Sequence, residues 1–260
     1  MRTRLEDICT NANTLANALR ENGCKHRRYK MYTTMERARS ILKSGDMYFS
    51  DGSGWNDLQD RRLMARSHQY GGCFSWSTVE NIAMWMLYGG ECGKAGAMLD
   101  FPQRVMLELL KTQTIALGDF LENAFVPKVV LTAGRDFTIY LTDVVYSELC
   151  ANGSKVKLTL GDEHVSVPIK TLENPDIFHK YYAWAYEREC RFMIRISEHV
   201  REKMDTAPHM ARLHLSDKAL CEMKENLYSS PVYEGECNLG TISKLYQQVD
   251  WNIGSRKERA

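Results

Sequence analysis

Three times within its first eighty residues this chain sets a hydroxyl residue three positions ahead of a glutamate, at the mouth of an apolar run: Thr3 and Glu6, Thr33 and Glu36, Ser77 and Glu80. In such a pair the hydroxyl accepts a hydrogen bond from an orphan N–H of the first helical turn and the glutamate reaches back to the capping residue, so each pair marks a helix start. The first run places Leu5, Ile8, Ala12, Leu15 and Leu19 on one face and stops at Gly23. The second turns Ala38, Ile41 and Leu42 inward and ends before Gly45. The third carries Ile82, Trp85 and Met86 and closes at Gly89-Gly90. Short β-type runs separate the helices: Tyr29-Lys30-Met31-Tyr32, Met47-Tyr48-Phe49-Ser50 and Cys73-Phe74-Ser75-Trp76. Strands and helices in alternation make the chain α+β.

The remainder keeps that mixture. Residues 95–101 read as a strand, with Pro102 placed to open the next helix. Residues 126–131 and 137–146 read as strands, and 156–160 with 164–169 as a hairpin around Gly161-Asp162. Asn174-Pro175 predicts a helix reaching Trp184. Residues 186–196 then alternate as a single strand, and helices are expected over 216–227 and near 242–249. The reading is one α+β domain over 1–260, with a core over 29–196, an N-terminal helix over 1–23 and a C-terminal extension over 197–260.

Composition excludes several classes of function. The 34 Lys and Arg nearly cancel the 33 Asp and Glu, leaving +1, too little for a protein that coats nucleic acid by phosphate neutralisation. The clusters Lys25-His26-Arg27-Arg28 and Arg61-Arg62 leave room for a local nucleic-acid patch or a solvated surface. No apolar stretch is long enough to span a membrane, and the N-terminus lacks the apolar core of a secretion signal. A cytoplasmic address is the expectation. The eight cysteines are scattered without a CxxC pair and read as reduced thiols. No close Cys/His grouping suits zinc, the 51–62 loop carries Arg62 where a calcium loop needs glutamate, and no metal is expected.

Chemistry concentrates in Glu187-x-Glu189-x-Arg191. On a strand, a period of two sets both carboxylates on one face about 7 Å apart. Acids that close raise each other's pKa unless a cation intervenes, and Arg191 or Arg195 is placed to supply one. Two readings stand: an exposed, charge-balanced strand face, or an acid pair lining a cleft.

Six motifs in order resemble a bacterial domain-of-unknown-function family. They are Tyr29-Lys30-Met31-Tyr32, Trp55-Asn56-Asp57-Leu58, Cys73-Phe74-Ser75, Met84-Trp85-Met86-Leu87-Tyr88, Gly96-Ala97-Met98-Leu99-Asp100-Phe101, and Trp184-Ala185-Tyr186-Glu187-Arg188-Glu189-Cys190-Arg191. The chain departs from that pattern in lacking a proline after Asp57, in Met86-Leu87 for Ser-His, and in Cys190 where an aromatic is common. The same order resembles the ADP-ribosyltransferase superfamily, which implies a split β-sheet core with flanking helices, and NAD as substrate. By that resemblance Glu189 faces the ribose as its base departs, Glu187 positions or deprotonates the acceptor, and Ser75 orients Glu189 or the ribose. Lys30, Tyr32 and Thr33 hold ribose or diphosphate, Trp85 or Tyr88 stacks on nicotinamide, and Tyr29, Asn56 and Ser77 complete the NAD set. The implied acceptor is RNA, DNA or protein, and an antitoxin or inhibitor protein is an implied partner, as in defence or toxin–antitoxin effectors. An NAD glycohydrolase and a non-catalytic nucleotide- or partner-binding module are the alternatives.

Overall fold

The computed structural model describes residues 5–9, 12–78, 81–89, 94–150, 153–169, 178–230, 232–233, 236–237 and 247–248. The architecture is α+β, and the chain divides into two compact units. The first comprises residues 1–26, 48–73 and 110–212; the second 27–47, 74–109 and 213–260.

In the second unit, β1 (Arg28–Thr34) runs antiparallel to β4 (Gly96–Pro102) along its whole length, Tyr29 facing Phe101 and Lys30 facing Asp100. β14 (Leu227–Ser229) extends the sheet beyond β4. Every residue of β4 is buried; its sequence is apolar but for Asp100, whose Oδ2 accepts from Arg28 Nε at 3.0 Å. Helix α3 (Met35–Ser44) starts as expected but is capped by Thr34, whose hydroxyl accepts from Arg37 N at 3.2 Å; Thr33 remains in the strand. Its end follows the sequence too, with Gly45 at φ +77° donating to Ile41 O. Helix α5 (Ile82–Tyr88) begins later than Ser77 predicts, because the Asn81 carboxamide accepts from Ala83 N and Met84 N and serves as cap. Pro102 closes β4 and does not open α6 (Gln103–Leu109). Helix α8 (Asp217–Lys224) is capped by Ser216, and Gln247–Gln248 pair with β14 as strand β17 where a helix was expected.

In the first unit the N-terminal helical run is in two pieces, α1 (Leu5–Ile8) and α2 (Ala12–Gly23); Thr3 lies outside the described residues. Leu15, Ala16 and Leu19 of α2 pack with Val145, Val156, Leu158, Val167 and Phe178. The expected hairpin forms as β9 (Lys155–Leu160) and β10 (Glu163–Pro168) around Gly161 at φ +63°. β5 (Thr114–Leu121), which the periodicity did not reveal, pairs with β6 (Ala124–Thr132) and β13 (Met210–His214). The β5–β6 register shifts at Leu117/Gly118, and a Cβ on Gly118 would lie 2.2 Å from Val126 O. Gly118→Ala is therefore expected to cost about 1–3 kcal/mol as backbone is forced apart, read as a lower urea midpoint at unchanged slope.

One stretch of chain serves both sheets of this unit. β7 (Phe137–Asp143) pairs with β12 (Glu189–Ile196), and immediately after Val144 the same chain becomes β8 (Val145–Leu149), which follows β10 and β9 in a second sheet. β11 (His179–Tyr181) runs parallel to β8, with Lys180 opposite Tyr146. The expected helix over 174–184 is thus replaced at its C-terminal end by a strand and a 3-10 helix (Tyr182–Glu187), and Asn174 and Pro175 lie outside the described residues. Among the described residues no helix is long and apolar enough to cross a membrane.

Candidate active site

The strand expected over 186–196 begins only at Glu189. Glu187 ends the 3-10 helix, and Arg188 between them sits in the left-handed region at φ 44°, ψ 56°. That conformation costs a non-glycine residue roughly 1 kcal/mol. The two carboxylates are therefore gathered by a corner in the chain, and strand alternation does not place them. They meet on one ammonium: Lys180 Nζ lies 2.6 Å from Glu187 Oε2 and 3.3 Å from Glu189 Oε2.

Arg191, fully buried on β12, completes the group. Its Nε donates to Glu189 Oε1 at 2.7 Å and its Nη2 to Glu189 Oε2 at 3.2 Å. The outer edge of the guanidinium forks onto Asp60, with Nη1–Oδ1 at 2.9 Å and Nη2–Oδ2 at 2.7 Å. A planar five-donor group can hold two carboxylates this way, whereas an ammonium cannot. Asp60, Glu187 and Glu189 are each only 3% exposed. Three carboxylates against two cations leave the buried group with one formal negative charge. Indole rings cover the cations: Lys180 Nζ stands 4.8 Å from the Trp184 ring centre and the Arg191 guanidinium 5.3 Å from that of Trp55. The Glu189 backbone N–H donates to the Tyr146 hydroxyl at 2.9 Å, fixing the first residue of β12 against β8.

The electrostatics follow from burial and pairing. Burial alone would raise the Glu189 pKa, but the Arg191 and Lys180 charges overcome it and hold the carboxyl well below its ordinary value. Burial would lower Lys180, and the Glu189 and Glu187 carboxylates outweigh it, keeping the ammonium protonated. At Asp60 burial prevails over Arg191 and raises the pKa. Cys73, on β3 (Gln69–Ser75), is an exposed residue, and its thiol hydrogen bonds to Glu189. Burial of the thiol and the Glu189 charge push it well above the ordinary thiol value.

Beside Lys180, the His179 ring bonds to the Ser147 hydroxyl, while its Nδ1 is buried without a hydrogen-bond partner. Burial, aided by the Arg191 charge, lowers the His179 pKa from 6.5 to about 4. The unfolded chain then takes up a proton on acidification through this window and the folded chain does not. Stability should fall between pH 6.5 and pH 4, by about 3 kcal/mol at the bottom. His179→Gln is expected to remove that component, so the drop in urea midpoint from pH 7 to pH 4 should be smaller in the variant.

The other candidate residues lie in the second unit, Asn56 excepted. Lys30 and Ser75 are cross-strand neighbours where β1 meets the end of β3, and both are buried. Tyr29 and Thr33 are buried on β1. Tyr32 stands edge-on to Trp85, ring centres 4.9 Å apart. Trp85 is 1% exposed, which leaves its ring faces inside the protein, whereas Tyr88 is half-buried. Ser77 is buried after β3, with its N–H 3.4 Å from Ser75 Oγ. Asn56 is exposed in the first unit, next to Asp57, the cap of α4 (Leu58–Ser67).

Sequence reasoning missed Asp60, Lys180, Cys73 and Tyr146, and nominated Arg195, which does not join the group. Asp60 had a signal: it shares a helical face with Leu63 and Met64 three and four residues on, and an acid on an apolar face asks for a buried partner. Family models, curated proteins and solved structures offer no match to this chain.

Proposed function

We propose that the chain is an NAD-dependent ADP-ribosyltransferase whose chemistry centres on Glu189. The observation that supports this most is the convergence of Glu187 and Glu189 on Lys180 in a buried, cation-ordered group, with exposed Cys73 at its edge. When the nicotinamide–ribose bond breaks, the bonding electron pair leaves with nicotinamide and neutralises its pyridinium, while the ribose carbon becomes oxocarbenium-like. A carboxylate held ionised, as Glu189 is, stabilises that cation and accepts a hydrogen bond from a ribose hydroxyl. The acceptor then bonds to the ribose carbon and gives up its proton, for which Glu187 is the candidate base. The resemblance assigns Lys30, Tyr32, Thr33 and Ser75 to ribose and diphosphate and Tyr29, Asn56 and Ser77 to the rest of the NAD set; of these Tyr32 and Asn56 are the better supported, since Tyr29, Lys30, Thr33, Ser75 and Ser77 are buried. Of the two rings considered for nicotinamide, Tyr88 is the better supported, since Trp85 is enclosed. The two-sheet construction of the first unit, β7 passing into β8 at Val144, is consistent with a split-sheet core.

The acceptor we infer is a macromolecule, nucleic acid or protein, in the manner of a defence or toxin–antitoxin effector held in check by an inhibitor protein. A second reading is favoured by one contact. Both Glu189 oxygens already accept from Arg191, which suits a binding module whose ions serve only to fix the fold. Incubating the full chain with NAD labelled in its adenosine moiety, with and without cell lysate, separates the readings. Label on a macromolecule supports the transferase and free ADP-ribose the glycohydrolase; intact NAD under both conditions overturns both enzymatic readings.

A further inference from the structure

At the far end of β12 from Glu189, a cavity of about 500 Å³ opens between the end of α4, β12 and α7 (Glu198–Arg201). Three arginines line it: Arg66, Arg195 and Arg201. The hydroxyl residues Ser67 and Ser197 stand among them, with Glu198 as the single carboxylate of the described lining. Arg195 lies six residues along β12 from Glu189, about 20 Å at strand rise, so this cavity is separate from the acid group.

The positive charge there is only partly offset, by the Glu198 carboxylate and by the Tyr140 ring, whose centre stands 5.9 Å from the Arg195 guanidinium. Among the described residues none of the three arginines is in an ion pair, and the Nε of Arg201 is shut off from solvent without a hydrogen-bond partner. Buried donors are almost always satisfied, and one left open beside a cavity calls for an acceptor, such as a water or an anion. Arg195 is the one exposed residue of β12, on a strand otherwise buried throughout, so its charge is held at the surface of the cavity. Three guanidinium groups against one carboxylate give +2. That matches the charge of roughly −1.5 to −2 carried by a phosphate monoester at neutral pH; a lone carboxylate ligand would leave a surplus. Guanidinium forks engage phosphate oxygens two at a time, and the Thr138 hydroxyl of the same lining can donate to a further oxygen. The volume falls within the 300–1,000 Å³ of small-molecule sites and is far larger than bare phosphate requires.

We propose that this cavity binds the phosphate monoester of a small metabolite about the size of a mononucleotide. The proposal stands whether or not the chain turns over NAD. Titration calorimetry of the full chain with AMP, adenosine and inorganic phosphate tests it. AMP should bind, inorganic phosphate more weakly, and adenosine not measurably. Arg195→Gln and Arg201→Gln should each weaken AMP about tenfold or more, the loss of a charge-assisted hydrogen bond, and Glu198→Gln should tighten it. If Arg201→Gln fails to fold, Arg66→Gln, at an exposed residue, takes its place. AMP and phosphate both silent at millimolar concentration would overturn the proposal. So would AMP binding indifferent to the arginine variants.

Discussion

Replacing Arg191 with methionine is expected to remove about 3–5 kcal/mol of folding stability, because it strands Asp60 and Glu189 as buried charges without their shared cation. Arg191 is fully enclosed and supplies four of the hydrogen bonds within the group. Against a typical domain stability of about 5–15 kcal/mol, a loss of that size is a large fraction of the whole. Urea denaturation at neutral pH reads it directly. Arg191→Lys should recover only part, since one point charge cannot fork onto both carboxylates at once. Adding Asp60→Asn to the methionine variant should return some of the loss by removing one stranded charge, a coupling that a double-mutant cycle isolates. A methionine variant within about 1 kcal/mol of the parent would mean that the ions are solvated and the pairing is incidental.

Glu189→Gln should lower NAD turnover about 10²–10³-fold, the scale on which single electrostatic contacts to a developing charge act. It should do so for free ADP-ribose and for macromolecular labelling alike, because both pass through the same ribose cation. Glu187→Gln should behave differently. If Glu187 serves the acceptor, labelling drops while nicotinamide release continues with water as acceptor. Circular dichroism and urea midpoints of both variants show whether the group still assembles, since each glutamine exchanges an anionic acceptor for a neutral amide facing Lys180 or Arg191. A Glu189→Gln chain that labels its target at the parental rate would rule out the proposed role.

Much of the local structure was legible because short-range rules governed it. Gly45 ends α3 as a left-handed residue and Gly161 turns the β9–β10 hairpin. The errors fell where longer-range packing decided. Thr34 displaced Thr33 as cap because β1 continues one residue further along β4, and Asn81 displaced Ser77 because β3 and its following turn keep Ser77 buried. The acid pair is adjacent for a different reason from the one its spacing suggests. Alternation foretold two neighbouring carboxylates, but their neighbourhood comes from a left-handed Arg188 and from a lysine on a different strand. Lys180 could not be nominated because an Asn-Pro signal upstream suggested a helix through it. Periodicity also says nothing about which distant acid an arginine will fork onto, so the pairing of Arg191 with Asp60, 131 positions away, exists only in the folded chain.

The passage of one chain from β7 into β8 at Val144 has a consequence for how variation can accumulate. Glu189 is mounted on a partner of the first segment and Lys180 on a partner of the second, so the ammonium and its carboxylate sit on opposite sides of a fold line in a single ribbon. A shift of one residue across that crease would carry the two away from each other, however well each layer packed by itself. Insertions and deletions should therefore be tolerated in the β9–β10 turn and shunned between positions 137 and 149, a contrast that a scan of single-codon indels scored for soluble protein would make visible.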